Sequence, residues 1–344
     1  MQSNTDHAQS KPGPSMPEVQ PAGSLHMLAY VACPIRQTFR DHFDALTVAY
    51  HKTTGQTINL HIPAGCHDAD PYDDLRDATR LDQLPGVIAS MGFGDFMTPA
   101  FFQRFVAKGH FAGAHQGRVH PAFASAGLLD PEGWYTPYSA WAHVLVVDTA
   151  RLGKLPVPRR WSDLLDERYA DQIVADGARE QRFAPIPLLY FYKNHGETGL
   201  VRFVKNIRED WHPAEMVKLA GAAEGKGAGI YIVPWSFARA RRWPRHVQLV
   251  WPEEGAIASP LYAWVKKTAL GPVQDIARAL VSAELGRQFV QAGFPVLSPD
   301  VDNLLPEGAH FCWLGWDYVR KHDVQQLIKD TAAIAERAWL SKGA

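Results

Sequence analysis

The sequence predicts an α/β fold of two domains and two sheets, and three observations carry that reading. The chain has 344 residues, 46% of them hydrophobic and 21% charged, which suits two globular domains with real cores. Near its start, two short β-like runs flank a helical pattern, the signature of a βαβ unit with a parallel strand pair and a right-handed crossover. Beyond it, short apolar runs of strand character keep alternating with amphipathic stretches as far as residue 300.

The elements follow in order. Residues 1–24 are rich in Pro, Ser, Gln and Gly, with no basic n-region and no apolar h-region. They are expected to be disordered and not a signal peptide. As written, the chain is expected to be cytoplasmic; with a trimmed or misassigned start, this segment would be the linker of a periplasmic protein. Residues 25–32 and 57–62 read as strands. Between them Phe39, Phe43, Leu46, Val48 and Tyr50 recur at roughly helical spacing, and Gly55 is placed to end the helix in a left-handed cap. Pro85 to Asp95 reads as a third strand running into a Gly-rich turn, followed by helix from Pro99 to about Lys108. Residues 142–148 form a strongly apolar strand. Trp161–Leu165 starts a short helix, and Gln172–Asp176 is a strand. Tyr190 and Tyr192 alternate on a possible strand, and Leu200–Ile207 is helical. Residues 229–233, 247–251 and 256–265 are strands. Val273–Ala292 is one amphipathic helix ending at Gly293, and one or two helices close the chain from Asp317 to about Leu340.

The bulk numbers exclude several functions. A formal net charge of −1 implies no global pull on nucleic acid or an anionic membrane, so no nucleic-acid partner is expected. No run approaches the roughly 18 apolar residues of a transmembrane segment. Three cysteines, Cys33, Cys66 and Cys312, are too sparse for a disulfide framework and agree with a reducing compartment. Ala220 to Gly227 looks briefly like a phosphate loop. However, Ala220 stands where the first Gly is required and Gly227 where a Ser or Thr would hold Mg²⁺.

Candidate site residues come from strand ends, because ligands of open α/β sheets bind beyond the carboxyl ends of the strands. Cys33–Arg36, Pro63–His67 and Gly92–Asp95 lie there, so Cys33, Arg36, Cys66, Gly94 and Asp95 are candidates. Arg36 offers a fork for a carboxylate or phosphate at the start of a helix. Cys33 and Cys66 end consecutive strands, which lie about 5 Å apart in a sheet. With His67 they would make a corner for a soft metal, and a bound metal ion is the one cofactor left open. The bland alternative is that both cysteines are small buried hydrophobes. Asp95 would bind a cation or cap a helix. Tyr135, Tyr138, Ser139, Trp141 and His143 surround a domain junction, where they would wall a ligand or pack the hinge.

In order and spacing, these blocks resemble a type II solute-binding protein of ABC importers, in its ferric-iron, polyamine and phosphonate branch. The words that carry the resemblance are Leu28–Cys33 feeding a helix that closes on Thr53-Thr54-Gly55, then Tyr135–Asp148, Leu155–Asp166, Gly255–Pro260, Ser282–Phe289 and Gly293-Phe294-Pro295-Val296. A narrower set, Cys33-Pro34-Ile35-Arg36, Ile62–Cys66, Asp70–Leu75 and Ser90–Phe96, resembles a bacterial subgroup whose members lack signal peptides. The resemblance implies a periplasmic-binding-protein-like fold with two crossover strands, at 135–148 and 250–265, and a cleft between domains. Domain 1 would be 25–134 plus 260–300, domain 2 would be 149–250, and 301–344 would be C-terminal helices. In ferric-binding relatives an adjacent tyrosine pair supplies phenolates, but the corresponding stretch Tyr231-Ile232-Val233-Pro234-Trp235-Ser236 has no such pair, which puts ferric iron in doubt; the resemblance leaves Tyr231 and Trp235 as candidates, with Trp235 placed to stack on an organic ligand. The implied function is a clamp, not an enzyme. It would hold a small molecule, expected to be an organic anion, or a metal complex, for an ABC transporter permease or for sensing. The alternative is a cytoplasmic metal-binding or metallochaperone-like protein, or an enzyme, using Cys33, Cys66 and His67.

Overall fold

The computed structural model describes residues 22–63, 75, 77–93, 95–115, 118–177, 182–222 and 226–343. Cys66, His67 and Gly94 lie outside the described residues, and only the backbone of Asp95 is among them.

The expected βαβ unit is present. Strand β1 (Met27–Ala29) leads to helix α1 (Cys33–Thr54) and then to β2 (Leu60–His61), which pairs parallel with β1. Pro34 sits in the first turn, where its missing N–H costs nothing. Ile35, Phe39 and Phe43 recur every four residues and are fully buried, which fixes the helix face that meets the sheet. The helix stops at Gly55, whose φ of 71° is left-handed and whose N–H reaches the His51 carbonyl at 2.8 Å. Strand β3 (Val87–Met91) lies parallel on the other side of β1.

Two long antiparallel strands, β5 (Thr136–Asp148) and β10 (Ala256–Lys266), organise the rest. Strand β4 (Phe111–Ala112) precedes them; between them come β6 (Ile173–Asp176), helix α2 (Pro185–Asn206), β7 (Ile207–Trp211), α3 (Pro213–Leu219), β8 (Ile230–Pro234), α4 (Trp235–Ala238) and β9 (Val247–Val250). After them come α5 (Pro272–Leu280), α6 (Ala283–Gln291), β11 (Phe311–Cys312), α7 (Trp316–Lys321) and α8 (Val324–Leu340). The main strand order is β2-β1-β3-β10-β5-β8-β6-β7, with β4 and β11 on β10 and β9 on β5. The two expected sheets are therefore one hydrogen-bonded path. At 13 residues and about 3.3 Å per residue, β5 is long enough to belong to both halves.

Three further differences have local causes. Tyr190 and Tyr192 are helical: α2 starts at Pro185, and two helical runs meet at Gly196, where φ 66° and ψ −170° break the periodicity. The single helix expected over Val273–Ala292 is two helices, because the Ser282 hydroxyl accepts the Leu285 N–H and starts α6 afresh. Strand β5 begins at Thr136, earlier than the apolar run. It tolerates Pro137 because the register slips there: Tyr262 faces Pro137 and Leu261 faces Ser139, leaving Tyr138 unpaired as a bulge.

Apolar packing follows the two halves. Ile35, Phe39 and Phe43 of α1 meet Ile276 of α5, Phe289 of α6 and the strands β1 and β3. Phe191, Leu200 and Phe203 of α2 meet Ile334, Ala335 and Ala338 of α8 over Ile173, Ile230 and Ile232. The last helix thus covers the second half, while Trp313 and Trp316 pack back on Phe93 and Tyr135 near the first.

Candidate functional site

The strand register places a cleft. Strand β3 runs parallel to β5 and ends where Met91 faces Leu261, level with Ser139. Strand β8 runs the other way and ends where Pro234 faces His143, level with Ile257. The two carboxyl ends therefore point at each other across the stretch Ser139–His143, laid against Ile257–Leu261. That stretch spans about 13 Å of strand. It is the floor of a cleft, and the carboxyl ends on either side are its walls.

The first wall is open. Cys33, the first residue of α1, is exposed, and the Arg36 guanidinium donates to its sulfur at 3.0 Å. No side chain caps the N-terminus of α1, so the positive end of a 22-residue helix dipole carries Arg36 beside it. Met91, at the end of β3, is 37% exposed.

The floor and the second wall are closed in. The Ser139 hydroxyl donates to the Pro295 carbonyl at 2.8 Å, and the Ala140 N–H joins it at 3.1 Å. The Trp141 ring meets Phe294 edge-on at 5.3 Å. His143, 1% exposed, turns Nε2 to Oδ2 of Asp176 at 3.3 Å, and Asp176 is the last residue of β6. Its Nδ1 is buried without a protein partner. Trp235 and Ser236 follow β8 directly. The Trp235 ring packs edge-on against Trp251 at 5.3 Å, and its Nε1 is likewise buried without a partner, as is the Ser236 hydroxyl.

Several sequence candidates sit elsewhere. Tyr138 is not on the cleft surface: the bulge turns it into the core beside Phe289, and burial pushes its phenol pKa up. Tyr231 is buried on β8, and its hydroxyl accepts the Ala228 N–H at 3.0 Å; burial raises its pKa too. Ser139 is on the floor, but its hydroxyl is spent on Pro295. Trp235 is buried and packs edge-to-face with another indole, so it offers no open face for stacking. Of the expected metal corner, Cys66 and His67 lie outside the described residues. Among the described residues, no group of three His, Cys, Asp or Glu side chains could hold a metal ion. Sequence reasoning passed over Asp176 and Ser236, although Asp176 closed an expected strand and so carried the strand-end signal.

Residues 82–322 match the family described as bacterial extracellular solute-binding protein. A search of curated protein sequences finds no match. Among solved structures, the chain is similar to a Trichodesmium protein in complex with iron and citrate, at 16% identity and TM-score 0.60 over 91% of this chain and 98% of that one. A Bordetella ferric binding protein gives 14% and 0.60 over 91% and 98%. Ferric iron-binding protein A of Mannheimia haemolytica, in an open conformation, gives 11% and 0.55 over 91% and 98%. At such identities the likeness shows the fold alone. The fold is that of the type II periplasmic binding proteins, two α/β domains with two crossover strands and a cleft between them.

Proposed function

We propose, starting from the fact that the chain belongs to the bacterial extracellular solute-binding protein family, that it clamps a small organic anion in this cleft and hands it to an ABC permease. The observation that carries the reading is the pair of opposed strand ends over the β5/β10 floor. That arrangement supplies recognition groups from two walls, and hinge motion about the floor brings them together.

The anion is favoured by Arg36 beside the uncapped start of α1, which offers a bidentate fork and backbone N–H groups on one wall. We take residues 25–134 plus 260–300 as domain 1, 149–250 as domain 2, and 135–148 and 250–265 as the hinge. Several structural neighbours carry iron in their descriptions, but the neighbourhood of Pro234 and Trp235 offers no tyrosine pair for phenolate ligation. The working place follows the family, outside the cytoplasm and facing a permease.

Calorimetry with a panel of small carboxylates tests the reading. One-to-one binding is expected, weakened in Arg36→Ala by about 10- to 150-fold, the worth of one charged hydrogen bond. Binding that survives Arg36→Ala unchanged would remove the anion anchor.

A further inference from the structure

The two faces of the central sheet are packed differently. On one, buried apolar contact runs without a break from Ile88 of β3 through Ala140, Ala142 and Val144 of β5 to Val233 of β8. On the other it forms two separate bodies. Ala89 and Leu261 belong to the body under α1, α5 and α6, and Leu145 and Ile257 belong to the body under α2 and α8. Alternate residues of a strand share a face, and so do residues opposed across an antiparallel pair. Ser259 lies midway between Leu261 and Ile257 on β10, so it stands between the two bodies. Trp141 is directly opposite Ser259, with the two Cβ atoms about 5 Å apart. Met91, opposite Leu261, edges the same interval on the β3 side. The turn after Met91 closes on it as well, because a Cβ on Gly92 would stand 3.9 Å from the Ser259 hydroxyl.

This interval is where the sheet reaches solvent. Every residue of β5 is buried except Trp141, which is half-buried. Every residue of β3 is buried except Met91, which is 37% exposed. Tyr138 and Trp235, by contrast, are 3% and 5% exposed, so Trp141 is the aromatic candidate of the cleft that keeps surface. Helix α1 packs on this same face through Ile35, Phe39 and Phe43, and its first turn carries Arg36 beyond the carboxyl end of β1, the neighbour of β3. The anion anchor and the partly open indole therefore stand on one side of the sheet.

We propose that Trp141 and Met91 form the apolar subsite of the cleft floor, and that this subsite selects anions built on an aromatic ring. The ligand class is the small aryl acids, with the carboxylate turned to Arg36 and the start of α1 and the ring set against the indole and the thioether. An aromatic ring gains from an indole beyond the area it buries, and a methionine sulfur adds its own contact with the ring. A saturated ring of the same size has neither gain. The inference rests on the organic-anion reading above and deepens it.

The test compares phenylacetate with cyclohexylacetate, which has the same carbon skeleton without the π face, by calorimetry on the full chain. Wild type is expected to bind phenylacetate about 10-fold more tightly, the upper end of what an aromatic pair adds to burial. Trp141→Leu should erase that preference, and Trp141→Phe, which keeps a ring in place, should retain it. Met91→Ala, at a more exposed position less prone to misfolding, should narrow the preference about 3-fold. Equal binding of the two acids, with Arg36→Ala weakening both, would overturn the subsite and leave the organic-anion reading standing. So would binding of other carboxylates but of neither of these. No binding of any carboxylate would overturn both readings. A preference that survives Trp141→Leu and Met91→Ala unchanged would place the ring elsewhere and overturn the subsite.

Discussion

The two walls of the cleft solve the same task with opposite physics. On the first, Cys33 is exposed and Arg36 half-exposed, on the opening turn of a long helix. On the second, His143 and Asp176 are 1% and 8% exposed, and the groups that would meet a ligand are fixed by a buried hydrogen bond and by ring packing. The open wall carries a guanidinium tied to Cys33 beside a helix dipole, which suits it to attracting charge. The closed wall is suited to discriminating, because a group already stripped of water loses more from a poor partner. A binding protein that must capture and then select has reason to keep both kinds.

Four substitutions or conditions would break or sharpen that contrast, and the largest effect is expected at the seam between the walls. Gly293 has φ 81°, and a Cβ there would stand 2.5 Å from the Ser236 Cα. Close by, the Arg239 guanidinium donates to the Val290 carbonyl at 2.6 Å, tying α4 to α6. Gly293→Ala should cost about 2–4 kcal/mol, from the left-handed backbone and the overlap together. Urea unfolding measures it, and a loss below about 0.5 kcal/mol, the ordinary range of surface changes, would mean the seam yields freely.

Asp176→Ala comes next. It leaves both nitrogens of His143 buried and unmatched, and about 1–3 kcal/mol of stability should go with it. Combining it with His143→Phe in a double-mutant cycle should recover part of that loss. Strict additivity of the two changes would show that the pair is not coupled.

Arg36→Ala on the open wall should change stability by less than about 0.5 kcal/mol, as surface changes do. Its loss should appear in affinity alone. A clear drop in the unfolding midpoint would make Arg36 a structural residue and erase the contrast between the walls.

The smallest effect is spread over several histidines. Burial holds the pKa of His115, His42 and His26 below the ordinary 6.5, and the carbonyl of Pro137 opposes the shift at His115 without cancelling it. Folded pKa values below the unfolded value mean that the unfolded chain binds more protons under pH 6.5. Stability should therefore be flat above that pH and fall as pH drops through 6.5 toward the folded values. Unfolding midpoints at pH 7.5 and 5 check the sign, and His115→Gln should flatten the slope.

Much of the fold was legible because its cues are local. The period begun by Phe39 and Phe43 and the need for glycine at Gly55 act within a few residues, and both held, although Val48 of the same pattern is exposed and Ile35 takes the next buried place. The order of the strand-like runs was enough to suggest the architecture that residues 82–322 then matched. Strand ends named Arg36, the family resemblance named Trp235, and the strand-end rule also pointed at Asp176. Where a local cue was interrupted, the reading failed: Gly196 hid the first half of α2, and Ser282 divides a continuous apolar pattern into two helices.

By itself the sequence determined where most strands, helices and turns fall, since backbone propensity and side-chain period are properties of neighbours along the chain. Only the tertiary structure decided which side chains the cleft receives. The bulge at Tyr138 reverses the expected face of one aromatic, Pro295 consumes the hydroxyl of Ser139, and Trp251 packs edge-to-face with Trp235. Each partner comes from a distant part of the chain, Pro295 being 156 residues from Ser139. The pairing of His143 with Asp176 spans 33 residues and crosses an intervening strand. No periodicity encodes such a contact, because it exists only once the strands have found their order in the sheet.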